Sequence, residues 1–202
     1  MERERRSIED LKQILTATCA EIIEESVLEL GDLILTVKAS NLAELLRLCR
    51  DSKELSFNLL VDITAVDWLD SREVRFEVVY QLLSLANLWR LTIKVALSED
   101  SPEIATATTL WAGANFLERE VWDMFGIRFT GHPDLRRILM YDEFIGHPLR
   151  KDYPVQGKQP RIALRMPEVE NTARRMQRPE LVSIRKSKVS APKSQSAEGS
   201  RE

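Results

Sequence analysis

Apolar positions recur along this chain with two periods, and the points where the period changes divide it into elements. Over residues 7–20, Ile8, Leu11, Ile14 and Leu15 fall on one side of a 3.6-residue repeat and Ser7 stands where an N-cap belongs, which predicts a first helix. Glu25 to Leu30 and Leu33 to Val37 read as a hairpin turned by Gly31-Asp32. A second helix is predicted from Asn41, with Glu44 at its third position and Leu42, Leu45, Leu46 and Cys49 as its stripe. The period then drops to two. Phe57, Leu59, Val61 and Ile63 alternate along one strand, and Val74 to Leu83 and Leu88 to Leu97 give two more. Trp89, Leu91, Ile93, Val95 and Leu97 form the inward row of the last. The connections around 67–72 and 86–87 are short enough for antiparallel pairing.

Two further helices are expected. Ser101-Pro102 carries the signature of a helix start, running to about Trp111. After Ala112-Gly113-Ala114, Asn115 is a good N-cap with Glu118 at the third position for a capping box, and Gly126 supplies a left-handed stop. Between them Leu117, Val121, Met124 and Phe125 form one apolar stripe. The fold class these elements predict is α+β: two layers, a mainly antiparallel sheet with helices on one face, followed by an extended C-terminal tail.

That tail divides the chain. Residues 1–155 form the α+β domain. Beyond them aromatic residues cease and Gly157, Pro160, Pro167 and Pro179 punctuate the segment, which cannot bury enough surface to offset its ordering cost. Ile162, Leu164, Met166, Val169, Met176 and Leu181 nevertheless recur among arginines, so 156–187 is expected to be a strap laid on a partner. Residues 188–202, rich in Ser, Lys and Ala, are expected to be disordered.

Charge sharpens the division. The net charge of −3 gives no global attraction to nucleic acid or anionic lipid. The distribution is lopsided: residues 150–202 hold 13 Lys and Arg against 6 Asp and Glu, so the tail is basic and the body acidic. Cys19 and Cys49 sit in amphipathic segments with no motif around them and read as buried free thiols. Two thiols cannot hold an iron-sulfur cluster of the four-thiolate type. The opening residues 1–6 mix both charge signs without an apolar core, so no targeting segment is expected, and no apolar run approaches the roughly 18 residues of a membrane span.

The candidate chemistry lies between Asn115 and Pro154, which holds both histidines of the chain. Glu118, Arg119, Glu120 and Asp123 line the central helix beside Trp122. Gly131-His132-Pro133 is echoed fifteen positions on by Gly146-His147-Pro148, and each copy is followed by a basic pair, Arg136-Arg137 or Arg150-Lys151. Each copy is a turn in which Gly takes positive φ and Pro extends the residue before it. Two histidines without a third soft ligand make a poor metal site. Glu118 and Glu120, two positions apart on the helix, point about 200° apart, and neither His132 with Asp134 nor His147 with Asp152 has a nucleophile to serve. The basic pairs permit a nucleic-acid reading, but the acidic body and the lack of stacking aromatics in the tail argue against it. Charges and aromatics packed this densely suit contact with another polypeptide.

The run Glu118-Arg119-Glu120-Val121-Trp122-Asp123-Met124-Phe125-Gly126-Ile127, continued by Phe129-Thr130-Gly131-His132-Pro133-Asp134-Leu135-Arg136-Arg137, closely resembles the signature of the 30-kDa subunit, or C subunit, of respiratory complex I. Gly146-His147-Pro148-Leu149-Arg150-Lys151-Asp152-Tyr153-Pro154 matches a second block of that family, and the resemblance runs from Ser7 to Pro154. It implies a non-catalytic structural subunit of a proton-translocating NADH:quinone oxidoreductase, an enzyme only as part of that translocase. This chain would bind no cofactor itself, with FMN and iron-sulfur clusters in partner subunits. Its partners would be the large quinone-site subunit and the cluster-bearing subunits of the peripheral arm, at the cytoplasmic face of a bacterial inner membrane. The motif positions Glu118, Arg119, Glu120, Asp123, Phe125, Gly126, His132, Arg136, Arg137, His147, Arg150, Lys151, Asp152 and Tyr153 are implied as the subunit interface. The corresponding piece of a membrane-bound hydrogenase, or of a ferredoxin-dependent quinone reductase, shares this type of motif and is the alternative.

Overall fold

The computed structural model describes residues 7–160, and the greater part of the expected strap and tail lies outside the described residues. Helix α1 (Ile8–Cys19) opens on a reciprocal cap: the Ser7 hydroxyl accepts from the Glu9 N–H at 3.2 Å, and Asp10 takes the Ser7 N–H at 2.9 Å. Strands β1 (Ile23–Glu29), β2 (Asp32–Val37), β3 (Leu59–Asp67), β4 (Phe76–Ser84) and β5 (Trp89–Leu97) form one sheet in the order β1-β2-β5-β4-β3. Neighbours are antiparallel except β2 and β5, which run parallel with Leu33 opposite Leu91 and Val37 opposite Val95. The chain reaches that parallel partner only after helix α2 (Leu42–Asp51), β3 and β4. A second, two-stranded sheet pairs β6 (Glu103–Ala105) with β7 (Arg128–Thr130), on either side of helix α3 (Ala114–Phe125).

One core joins the layers. Leu33, Leu35 and Val37 of β2 share a face with Leu91, Ile93 and Val95 of β5 and with Val78, Tyr80 and Leu82 of β4. Against that face pack Leu11, Leu15 and Cys19 of α1, Leu42, Leu45, Leu46 and Cys49 of α2, and Val121, Met124 and Phe125 of α3. The α+β, mainly antiparallel expectation is met, and the strict alternation of β5 is realised residue for residue. Both thiols are free and buried, and burial pushes Cys49 up.

Five local expectations give way to the structure. The hairpin turns at Leu30-Gly31, one residue earlier than Gly31-Asp32, because both residues take positive φ (51° and 85°), as a two-residue turn of matching twist requires. Asp32 thereby becomes the first residue of β2, and its carboxylate accepts from Arg90 Nε at 2.9 Å. Helix α2 follows a short 3-10 turn, Ala39–Asn41, and Asn41 offers no side-chain cap. In β3 an irregularity between Leu60 and Asp62 shifts the phase, so Leu59 and Val61 face outward while Ile63 and Ala65 face the core.

The largest difference is at 101–111, where the expected helix is absent. Glu103–Ala105 is a strand and Ala107 to Trp111 is turn. The β-branched Ile104, Thr106, Thr108 and Thr109 disfavour a helix. Ile104 and Ala107 are buried, and the Ala107 N–H goes to a carboxylate rather than to a helical carbonyl. Helix α3 begins after Gly113, so Asn115 lies inside it and the expected capping box with Glu118 does not form.

Leu30 is almost wholly exposed, so its left-handed backbone has no packing to offset it. Leu30→Asn is expected to raise the unfolding free energy by about 1 kcal/mol, measured by urea denaturation. An unchanged or lowered midpoint would mean that the turn carries no strain.

Candidate functional site

Helix α3 holds two carboxylates with opposite surroundings. Asp123 is fully buried, and its Oδ2 accepts from three successive backbone N–H groups, Ile138 at 3.1 Å, Leu139 at 2.9 Å and Met140 at 2.9 Å. Its Oδ1 accepts from Arg137 Nη1, while Arg137 Nη2 donates to the carbonyls of Phe144 (2.9 Å) and Gly146 (3.1 Å). The guanidinium also lies beside the rings of Trp122 and Phe144. Burial alone would raise the Asp123 pKa. The N–H groups of Met140, Leu139 and Ile138 together with Arg137 overcome that and hold the carboxyl below its ordinary range.

Glu118 is equally buried but lacks a cation among the described residues. Its oxygens accept from Thr106 Oγ1 and from the Ala107 N–H, each at 2.6 Å. Burial dominates those two bonds and pushes its pKa up to about 7. The buried Tyr80 hydroxyl, whose own pKa is raised by burial and by Glu118, has no hydrogen-bond partner among the described residues.

The C-terminus of α3 is closed by the second Gly-His-Pro block. Three successive helix carbonyls are taken: Asp123 O by His147 Nδ1 at 3.0 Å, Met124 O by the Leu149 N–H at 3.1 Å, and Phe125 O by Arg150 Nε. His147 therefore carries its proton on Nδ1, and desolvation keeps its pKa below the usual value. Gly126 is required twice over. Its φ is +77°, and a Cβ there would sit 2.6 Å from His147 Cδ2 and 2.7 Å from Arg150 Nη2. The first block sits at the other end of the helix: His132 Nε2 donates to Asn115 O at 3.2 Å and its Nδ1 accepts from the Asp134 N–H at 3.0 Å. The two histidines thus serve opposite ends of one helix, and no group of metal-ligating side chains occurs among the described residues.

A third buried carboxylate, on β3, fixes the far end of the loop that begins at Ile138. Asp67 pairs with Arg75 through Oδ1 to Nε and Oδ2 to Nη2, both at 3.0 Å, and also accepts from the Lys151 N–H at 2.8 Å. Asp152 joins Arg75 Nη2 at 2.9 Å. Burial would raise the Asp67 pKa, but Arg75 and the N–H groups of Lys151 and Leu69 hold it low.

The motif residues named from the sequence therefore divide. Glu118 and Asp123 are sealed and Phe125 nearly so; none of the three presents a surface. Arg137 is mostly buried against Asp123. Arg119, Gly126, His132, His147, Arg150 and Tyr153 are half-buried, with Arg119 donating to the Arg136 and Arg137 carbonyls at 3.1 and 3.2 Å. Glu120, Arg136, Lys151 and Asp152 are exposed. The loop they secure turns out Ile138, Leu139, Tyr141, Ile145 and Leu149, with Ile145 68% and Leu139 56% exposed. The chain stays attached past Val155: Gln159 exchanges two hydrogen bonds with the Ile145 backbone, at 3.0 and 2.9 Å. Sequence reading missed Asp67 and Arg75 as anchors and the apolar loop as the outward surface. Unperiodic apolar residues between two Gly-His-Pro turns were the available signal for the latter.

An α+β module with a loop of outward apolar side chains, bolted at both ends to buried carboxylates, has the form of an assembly subunit. Comparison with known proteins names the class: the chain belongs to the family of the respiratory-chain NADH dehydrogenase 30 Kd subunit, whose model matches residues 35–159. It is 43% identical over 157 residues to the C subunit of NADH-quinone oxidoreductase from Geobacter metallireducens, covering 78% of this chain and 93% of the relative. It is 50% identical over 129 residues to the same subunit of Roseiflexus castenholzii, covering 64% and 74%. Among solved structures it is similar to the trypsin-resistant fragment (1-134) of Nqo5, with TM-score 0.55 and 38% identity over 62% of this chain and 98% of that one. It is also similar to a chain of the membrane-bound sulfane sulfur reductase, an archaeal respiratory membrane complex, with TM-score 0.63 and 28% identity over 74% and 86%. The family is that of a complex I subunit, part of a multisubunit, membrane-associated oxidoreductase. No described helix is long and apolar enough to cross a membrane.

Removing the Asp123 carboxylate strands a mostly buried guanidinium and three N–H groups. Asp123→Ala is expected to cost about 3–5 kcal/mol and to speed amide exchange selectively at Ile138, Leu139 and Met140. Lost stability without faster exchange there would show that the clamp does not hold the loop.

Glu118 gives a pH dependence of opposite sign. Its folded carboxyl keeps a proton up to about pH 7, against an ordinary value of 4.5, so folding takes up a proton in that window and stability falls as pH rises through it. From pH 4.5 to 8, urea titrations should show Glu118→Gln gaining about 3 kcal/mol on the unaltered protein. A constant difference between the two would place the carboxyl in contact with water.

Proposed function

We propose that this chain is a non-catalytic structural subunit of the peripheral arm of a proton-translocating NADH:quinone oxidoreductase. It supports electron flow from NADH to quinone by holding neighbouring subunits in register, and it binds no cofactor itself; FMN and the iron-sulfur clusters belong to those neighbours. Its main partner is the large quinone-site subunit, with cluster-bearing subunits beside it, on the cytoplasmic side of a bacterial membrane. The observation that carries this reading is the loop 138–149, whose exposed apolar side chains are fixed by the Asp123–Arg137 clamp at one end and the Asp67–Arg75 pair at the other. A rigid apolar surface loses little conformational entropy on docking. Arg119, Arg136, Lys151 and Tyr153 rim or support that surface. The charged motif thus works mainly by shaping what it presents.

The similarity to a chain of the sulfane sulfur reductase favours a second reading, an equivalent role in another kind of membrane-bound respiratory assembly. A hydrogenase-type or ferredoxin-dependent complex belongs to the same alternative.

One experiment addresses both. Leu139→Asp combined with Ile145→Asp changes exposed side chains only, so the variant should fold with unchanged stability while the subunits co-purifying in mild detergent fall at least about tenfold, an effect of 1.4 kcal/mol. Undiminished co-purification would overturn the docking role. Mass spectrometry of the unaltered assembly distinguishes the readings: NADH- and flavin-binding subunits support the first, and their absence beside other redox subunits supports the second.

A further inference from the structure

The face of the main sheet turned away from the three helices carries a trough that crosses the strands. Its floor is Ile34 and Thr36 of β2, Lys94 and Ala96 of β5 and Glu77 of β4, with Val27 on β1 at one side and Trp68 and Val74 at the other. Such a sheet face is ordinarily solvated and polar. Here the Trp68 indole is drawn over it, donating from Nε1 to Glu77 Oε2 at 2.7 Å, and Arg72 lies on that indole at 3.9 Å while donating to the same carboxylate oxygen at 2.8 Å. Lys94 stands 3.7 Å from Glu77 Oε1. Glu77 is consequently almost buried on the outside of a sheet, with its charge matched by Arg72 and Lys94, and the trough has one built wall.

The rim is different. Glu25 and Glu29 on β1 and Glu73 beside the tryptophan line the trough, and none has an ion-pair partner among the described residues. Between these carboxylates lie Val27, 40% exposed, Val74, 37% exposed, and the half-buried Ile34. Apolar side chains lying between uncompensated acids on both banks complement one chemistry. We propose that the trough receives an amphipathic segment of a neighbouring polypeptide, apolar on the side it buries and carrying lysine or arginine on both flanks.

The segment crosses the strands rather than extending the sheet, because the lining comes from adjacent strands and not from one edge. Its flanking cations meet Glu25 and Glu29 on one bank and Glu73 on the other, and its apolar side covers Val27, Ile34 and Val74. This surface lies on the opposite side of the sheet from the core against which α3 packs, so it constitutes a second contact and does not depend on the apolar loop.

The test places a photo-cross-linking amino acid at Val27 in the full chain, illuminates the native assembly in mild detergent and sequences the attached peptide. The expected product is a peptide of a co-purifying protein in which apolar residues are flanked by lysine or arginine. Its yield should fall at least about fivefold when Glu25→Lys and Glu73→Lys are introduced together, with thermal stability of the isolated chain unchanged. A yield indifferent to charge reversal overturns the proposal. So does a cross-linked peptide that is acidic or uncharged, a cross-link within this chain or to a second copy of it, or no cross-link at all.

Discussion

A carboxylate deprived of water must find its donors inside the protein, and in this chain that requirement determines the geometry of the loop 137–151. Asp123 takes three consecutive backbone N–H groups, which forces residues 138–140 to wrap around one oxygen, while its other oxygen holds Arg137. Arg137 in turn reaches the carbonyls of Phe144 and Gly146, so the position of one buried charge propagates through the loop. At the far end Asp67 repeats the arrangement with Arg75 and the Lys151 N–H. Two buried anions on two different elements therefore fix both ends of one segment that has neither helix nor strand of its own.

Glu118 shows what decides the fate of such a group. It lies five residues before Asp123 on the same helix and is as deeply buried, yet its two donors are a hydroxyl and one amide, with no cation among the described residues. Desolvation wins there and the proton is retained to about pH 7, whereas four donors at Asp123 reverse the balance. Burial sets the stakes, and the number and charge of the donors sets the outcome.

How much of this was legible follows from the range of each interaction. Local signals were readable: the Ser7 cap, the α2 stripe, the alternation of β5 and the left-handed Gly126 all depend on residues within a few positions of one another. The family was legible too, because its signature is contiguous. The helix expected after Ser101-Pro102 failed because a run of threonines and the pairing of Glu103–Ala105 with Arg128–Thr130 outweighed one local start signal. The Gly-His-Pro repeat could be seen as two turns, but its service to opposite ends of α3 could not, since hydrogen bonds between residues 17 and 24 positions apart leave no periodic trace. For the same reason the inward direction of Glu118 and Asp123, and the anchoring role of Asp67 and Arg75, emerged only from the fold.

The closing of the α3 C-terminus by His147, Leu149 and Arg150 has a consequence during synthesis. The partner of Asp123 O is made 24 residues after it and that of Phe125 O 25 residues after it, an interval of roughly one to five seconds at ordinary elongation rates. Until then the last turn of the helix ends in bare carbonyls. A chain that stops short of position 147 therefore leaves the carbonyls of Asp123, Met124 and Phe125 without the partners that close the helix in the complete fold.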